Sequence, residues 1–126
     1  MPRRDWDAAS YDRVCGPMLQ WAREQLERVW LRGDETVLDA GCGSGRVTAE
    51  LAERVKHGRV YAVDVAPSMV RYAQEALGER AVVLCQDLVS LDLPEPVEVI
   101  FSNATFHWIG DHDALFAALY RAMGSG

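Results

Sequence analysis

The stretch from Val37 to Val55 constrains this chain more than any other. Val37-Leu38-Asp39-Ala40 opens it as a short, mostly apolar run of the kind that forms a buried strand. Gly41, Gly43 and Gly45 follow at every second position. Val47, Leu51 and Val55 then recur at helical spacing. The segment reads as strand, glycine turn, helix. A turn of this kind leaves backbone N–H groups uncovered at the helix N-terminus. With no Cβ in the way, the polar end of a nucleotide-like ligand can come close to it.

The rest of the chain repeats the alternation. Gly16-Pro17 starts a helix whose stripe is Met18, Ala22, Leu26 and Val29, with Trp21 and Trp30 beside it; the expected span is Pro17 to Leu31. Thr36 to Ala40 is the first strand, and the helix after the glycines is expected to reach Lys56. Arg59 to Val63 is a second strand, ending at Asp64. Pro67 opens a helix carrying Met69, Val70, Ala73 and Leu77, and Gly78 stops it. Ala81 to Cys85 and Val97 to Phe101 are the third and fourth strands, separated by a loop with Pro94 and Pro96. A last helix spans Asp111 to Met123, with Leu115, Leu119 and Ala122 inward.

Strands alternating with helices imply an α/β fold, a Rossmann-like doubly wound parallel sheet of about four strands with an N-terminal helical segment. The chain shows no internal repeat, low-complexity tract or linker, so one domain over residues 1–126 is expected. The fourth strand is apolar enough for a sheet interior, so a last strand there leaves an open edge prone to self-association.

Charge narrows the partners. Nineteen acidic residues against 13 Lys and Arg give a net charge of −6, with no basic cluster to neutralise phosphates, so nucleic acid is not an expected partner. The three cysteines, Cys15, Cys42 and Cys85, lie far apart without metal-ligand spacing, so no metal site is expected. The start Met1-Pro2-Arg3-Arg4-Asp5 has no apolar segment of the signal-peptide type, and no run reaches membrane-span length. The expected setting is the cytoplasm, with free thiols.

Each strand ends in a polar residue: Asp39, Asp64, Asp87 and Asn103. Ligands of open parallel sheets bind outside these carboxyl ends, near the point where strand order reverses. A carboxylate at Asp64 can accept both hydroxyls of a ribose, and Asp87 lies within reach of an amino group on a base. Asp39 either favours a cation beside the loop or orients the loop backbone. The dinucleotide fingerprint places its third glycine where this chain has Arg46. An acidic loop mouth repels a pyrophosphate and tolerates a zwitterion with a positive sulfur. His107 is the candidate general base, although Phe106 and Trp108 beside it suggest a pocket wall. Cys42 fits the loop by size, and a helix N-terminus can also activate a thiol. Trp6, Trp21 and Trp30 are expected to bury the first helix.

The run Val37-Leu38-Asp39-Ala40-Gly41-Cys42-Gly43-Ser44-Gly45 resembles the first motif of class I S-adenosylmethionine-dependent methyltransferases. Val63-Asp64-Val65-Ala66-Pro67-Ser68-Met69 resembles the second motif, and Cys85-Gln86-Asp87-Leu88 the third. Phe101-Ser102-Asn103-Ala104-Thr105-Phe106-His107-Trp108, with Asp111-His112, is similar to the fourth-strand segment of small-molecule methyltransferases of the trans-aconitate and malonyl-carrier-protein types. The resemblance implies that Gly41, Gly43 and Gly45 line the methionine part of S-adenosyl-L-methionine. It implies that Asp64 holds the ribose, that Val65 lies on the adenine, and that Asp87 accepts from the adenine amino group beside Leu88. Asn103 is implied near the methyl donor, and Tyr11 in closing over the cofactor. The implied reaction is in-line methyl transfer to a small molecule, a carboxylate among the candidates. The same resemblance leads to the expectation of a chain cut at Gly124-Ser125-Gly126, the front part of a seven-stranded fold. A catalytically incomplete binding module is the alternative.

Overall fold

The computed structural model describes residues 16–28, 30–102 and 112–124. The elements are helix α1 (Gly16–Arg28), strand β1 (Thr36–Ala40), α2 (Arg46–Arg54), β2 (Arg59–Asp64), α3 (Pro67–Leu77), β3 (Val82–Cys85), β4 (Val99–Ser102) and α4 (His112–Ala122). Short 3-10 turns cover Gly78–Arg80 and Leu88–Ser90. The four strands form one parallel sheet in the order β3-β2-β1-β4. The chain steps outward from β1 to β3, then returns to the far side of β1. Strand order reverses there, and the glycine turn leaves β1 at that point. This is the α/β arrangement expected from the alternation.

Residue alternation along the strands builds two cores. Val37, Val60, Ala62 and Val83 face Leu26 of α1, Leu51 of α2 and Val70, Ala73 and Leu77 of α3. Leu38, Ala40, Tyr61 and Val63 face Leu88, Val97 and Leu119, so α4 and the loop after β3 cover the opposite side. Both faces of β1 and β2 are buried, which is why those strands are so apolar.

Element ends differ from the sequence expectation at several points. Helix α1 stops at Arg28, short of Leu31, and Trp30 beyond it is 84% exposed rather than packed on the helix. Helix α2 ends at Arg54 because Val55 leaves the helical basin, although its N–H still reaches Leu51 O. Val97 is buried but is not a strand residue: its N–H is given to Ala122 O at 2.9 Å. The ladder to β1 begins instead with Glu98 N–H on Thr36 O at 2.8 Å. Among the described residues β4 pairs with β1 alone, and its residues are all half-buried, whereas its composition suggested an interior strand. Also among the described residues, no helix is long and apolar enough to cross a membrane, and no cluster of His, Cys, Asp and Glu could hold a metal ion.

Candidate cofactor site at the carboxyl edge of the sheet

The glycine turn is laid over the end of β2. Gly41 N–H and Cys42 N–H both donate to Val63 O, at 2.8 and 2.9 Å. Gly41, Gly43 and Gly45 all have positive φ, 83°, 54° and 91°. A side chain at such a position costs about 1–2 kcal/mol, which accounts for the glycine at each. Gly45 has a second reason. A Cβ there would sit 3.0 Å from Leu77 Cδ1 and 3.1 Å from Ala73 Cβ, so its absence lets the start of α2 lie against α3.

Two aspartates hold this turn at different points. Asp39 lies behind it, 1% exposed, where its Oδ2 accepts from Thr48 Oγ1 at 2.6 Å. That bond joins the end of β1 to the first turn of α2 and closes the base of the loop. Burial pushes the Asp39 carboxyl up to about 6; the Thr48 hydroxyl holds it down, and the Asp64 charge adds to the rise. Asp64 ends β2 and is half-buried. Its Oδ2 accepts from Gly43 N–H at 2.9 Å and its Oδ1 from Ala66 N–H at 3.0 Å. One carboxylate thus fixes the middle of the glycine turn and the approach to α3. Each oxygen keeps lone-pair capacity for a further donor.

Cys42 is buried in the turn, and burial together with the Asp39 and Asp64 charges pushes its thiol well above the usual range. It is a small neutral residue here, not a nucleophile. Cys85 is exposed, and its Sγ–H points to Val65 O at 3.7 Å. Val65 itself is half-buried.

Asp87 stands beyond the end of β3, exposed, and its Oδ1 accepts from Val89 N–H at 3.1 Å to cap the 3-10 turn. Among the described residues its Oδ2 has no partner. Leu88, next to it, is 5% exposed and belongs to the core under α4. Gln86 N–H bonds Asp64 O at 3.0 Å, which ties this segment to the end of β2. Asp39, Asp64, Asp87, Val65, Leu88 and the three glycines are therefore gathered on one sheet edge. Asn103, His107 and Tyr11 lie outside the described residues.

Thr48 and Gln86 were not anticipated as parts of the site. Thr48 carried a signal: it falls on the same helical stripe as Leu51 and Val55, and a hydroxyl on a buried stripe needs a buried partner. Gln86 carried none, because its role depends on where the loop returns.

The acceptors at this edge suit hydroxyl and amino donors and a positive charge, and are unsuited to a pyrophosphate. Residues 37–126 match the family model for a methyltransferase domain. The chain belongs to the class I S-adenosylmethionine-dependent methyltransferases.

Among curated relatives of this methyltransferase chain, a trans-aconitate 2-methyltransferase of Azoarcus sp. (strain BH72) is 37% identical over 96% of the chain and 47% of the relative. A malonyl-[acyl-carrier protein] O-methyltransferase of Anoxybacillus flavithermus is 34% identical over 81% of the chain and 39% of the relative. The chain thus spans less than half the length of either. A crystal structure of a SAM-dependent methyltransferase from Aquifex aeolicus superposes with a TM-score of 0.77 at 29% identity, over 94% of this chain and 68% of that one.

Proposed function

We propose that this methyltransferase chain binds S-adenosyl-L-methionine at the carboxyl edge of its sheet and presents the methyl group to a small-molecule acceptor. The observation that carries the reading is the double role of Asp64, whose oxygens hold Gly43 N–H and Ala66 N–H and retain capacity for two ribose hydroxyls. Gly41, Gly43 and Gly45 leave the turn bare for the methionine end. Val65 lies against the adenine with Leu88 packed nearby, and Asp87 Oδ2 accepts from its amino group. Asp39 and Thr48 hold the turn in place from behind, and the buried carboxylate adds a negative field suited to a sulfonium. Asn103 is assigned beside the methyl donor.

The cofactor supplies an electrophilic methyl group. The chain's own part is to hold it fixed against the acceptor, which in favourable intramolecular cases is worth about 7–11 kcal/mol. The names of the two curated relatives point to a carboxylate acceptor. An ionised carboxylate needs no base, so His107 serves as a general base only for a hydroxyl or protonated amine. We place the reaction in the cytoplasm, in line with free thiols at Cys42 and Cys85, and without nucleic-acid or membrane partners.

A second reading is binding without turnover, with self-association at β4. It is favoured by the single neighbour of β4 among the described residues.

Calorimetry with S-adenosylhomocysteine tests the first reading. Micromolar binding that Asp64→Ala weakens at least tenfold supports it, since that variant leaves Gly43 N–H and Ala66 N–H without their acceptor and removes the sugar acceptor as well. Binding of NAD alone, or no binding at millimolar ligand, refutes it. Methyl transfer to small carboxylates then separates enzyme from binding module, and size-exclusion chromatography reads the β4 edge.

A further inference from the structure

Between the two acidic positions of the site runs a segment whose geometry is set by one side chain. Gln86 follows β3 and is half-buried. Its Nε2–H donates to Asp92 O at 2.8 Å, and its Oε1 accepts from Asp92 N–H at 2.9 Å. The carboxamide therefore pairs with the backbone of Asp92 as a neighbouring strand would, satisfying a donor and an acceptor at once. Its own backbone N–H is fixed to Asp64 O. Residues 87–91 are closed into a loop between these anchors.

Inside that loop the remaining bonds all involve Asp87. Val89 N–H reaches Asp87 Oδ1 at 3.1 Å, and Ser90 N–H reaches Asp87 O at 3.0 Å. Leu88 is pressed into the core below. The turn can point Asp87 Oδ2 toward a base only while both ends of the loop stay where they are. A side chain of another length cannot span to Asp92, and one without both a donor and an acceptor cannot pair with its backbone.

We propose that Gln86 is a positioning residue for base recognition: by clasping Asp92 it fixes the Asp87 carboxylate relative to Asp64 and so sets the preference for a 6-amino purine. The proposal rests on the cofactor reading above. It assigns Gln86 no contact with the ligand; its effect passes through Asp87.

The test compares S-adenosylhomocysteine with S-inosylhomocysteine, in which an oxo group replaces the 6-amino group, by calorimetry on the purified chain. The wild type is expected to prefer the adenosyl ligand by about tenfold, the scale of one hydrogen bond gained against one acceptor left facing another. Gln86→Leu, which keeps the bulk and loses both bonds, is expected to reduce that preference to about threefold or less. Gln86→Glu keeps the length and sets an oxygen against Asp92 O, so it moves the preference in the same direction with little change in shape. In an Asp87→Ala background, Gln86→Leu should change the preference no further. Without ligand, the Val89 and Ser90 amides should exchange faster in Gln86→Leu. Preference unchanged in both folded Gln86 variants overturns the proposal, as does an equal loss for both ligands. A wild type that binds neither ligand overturns the cofactor reading and this proposal with it.

Discussion

Asp39 gives the most direct physical test of how the site is built. It is a carboxyl group sealed behind the glycine turn, with a pKa raised from 3.8 to about 6, chiefly by burial. A carboxyl that holds its proton more tightly in the fold than in the unfolded chain lowers stability as pH rises through that window. Linkage puts the penalty at about 1 kcal/mol at pH 4.5 and about 3 kcal/mol at pH 7.5, where the folded group is ionised. Asp39→Asn keeps the shape and an oxygen to accept from Thr48 Oγ1, and it does not titrate. Whatever fixed amount the amide costs or contributes is the same at both pH values. The stability of Asp39→Asn relative to wild type should therefore improve by about 2 kcal/mol between pH 4.5 and pH 7.5. Urea denaturation at several pH values, with equal m-values required, reads this directly. If the wild-type and variant stability curves run parallel across that range, Asp39 is ordinarily ionised and its described environment is wrong.

Two further substitutions probe the supports. Thr48→Val removes the hydroxyl that holds Asp39 Oδ2, and at pH 7.5 it should cost about 1.5–3 kcal/mol, the range for a bond to a charged group. It should also move the Asp39 titration upward, because that hydroxyl lowers its pKa; pH-dependent denaturation checks both effects, and an unshifted titration counts against the bond. Tyr61→Phe deletes the phenol that donates to Glu95 Oε2 at 2.6 Å from a buried position on β2. Glu95 keeps its pairing with Arg59 at 3.0 Å, so the loss should be about 1 kcal/mol, or about 3–6 °C in Tm by thermal denaturation, and an unchanged Tm contradicts it.

The sheet was legible because its signals are local and periodic. Alternating apolar residues place β1 and β2 between two layers, and the glycines at 41, 43 and 45 mark a turn that left-handed backbone then confirms. For Val97 the deciding bond joined residues far apart in the chain. Val97 looks like strand, yet its N–H belongs to Ala122 O, 25 residues on by their numbers. Trp30 is expected beside a helix stripe, yet α1 has already ended at Arg28. No periodicity could place Tyr61 against Glu95, which lie 34 residues apart.

The site shows the same division within a single residue type. Asp39 and Asp64 lie near the carboxyl ends of adjacent strands, but not at the same level: Asp39 is paired with Ala62, so Asp64 stands two residues further toward the edge. The crossing of the glycine turn separates them. Gly41 and Cys42 bend the chain over Val63 O, which leaves Asp39 behind the turn and brings Gly43 N–H to Asp64 at its front. Behind the turn a carboxyl group meets a hydroxyl from α2 and little water, so its pKa is raised and it braces the turn. At the front, the other accepts backbone donors and remains half-exposed, open to a ligand's hydroxyls. Two residues of one type thus acquire different chemistry from a two-residue offset in register and one loop. The sheet order decides which is which, because β2 and β4 flank β1 on opposite sides and the turn leans toward β2.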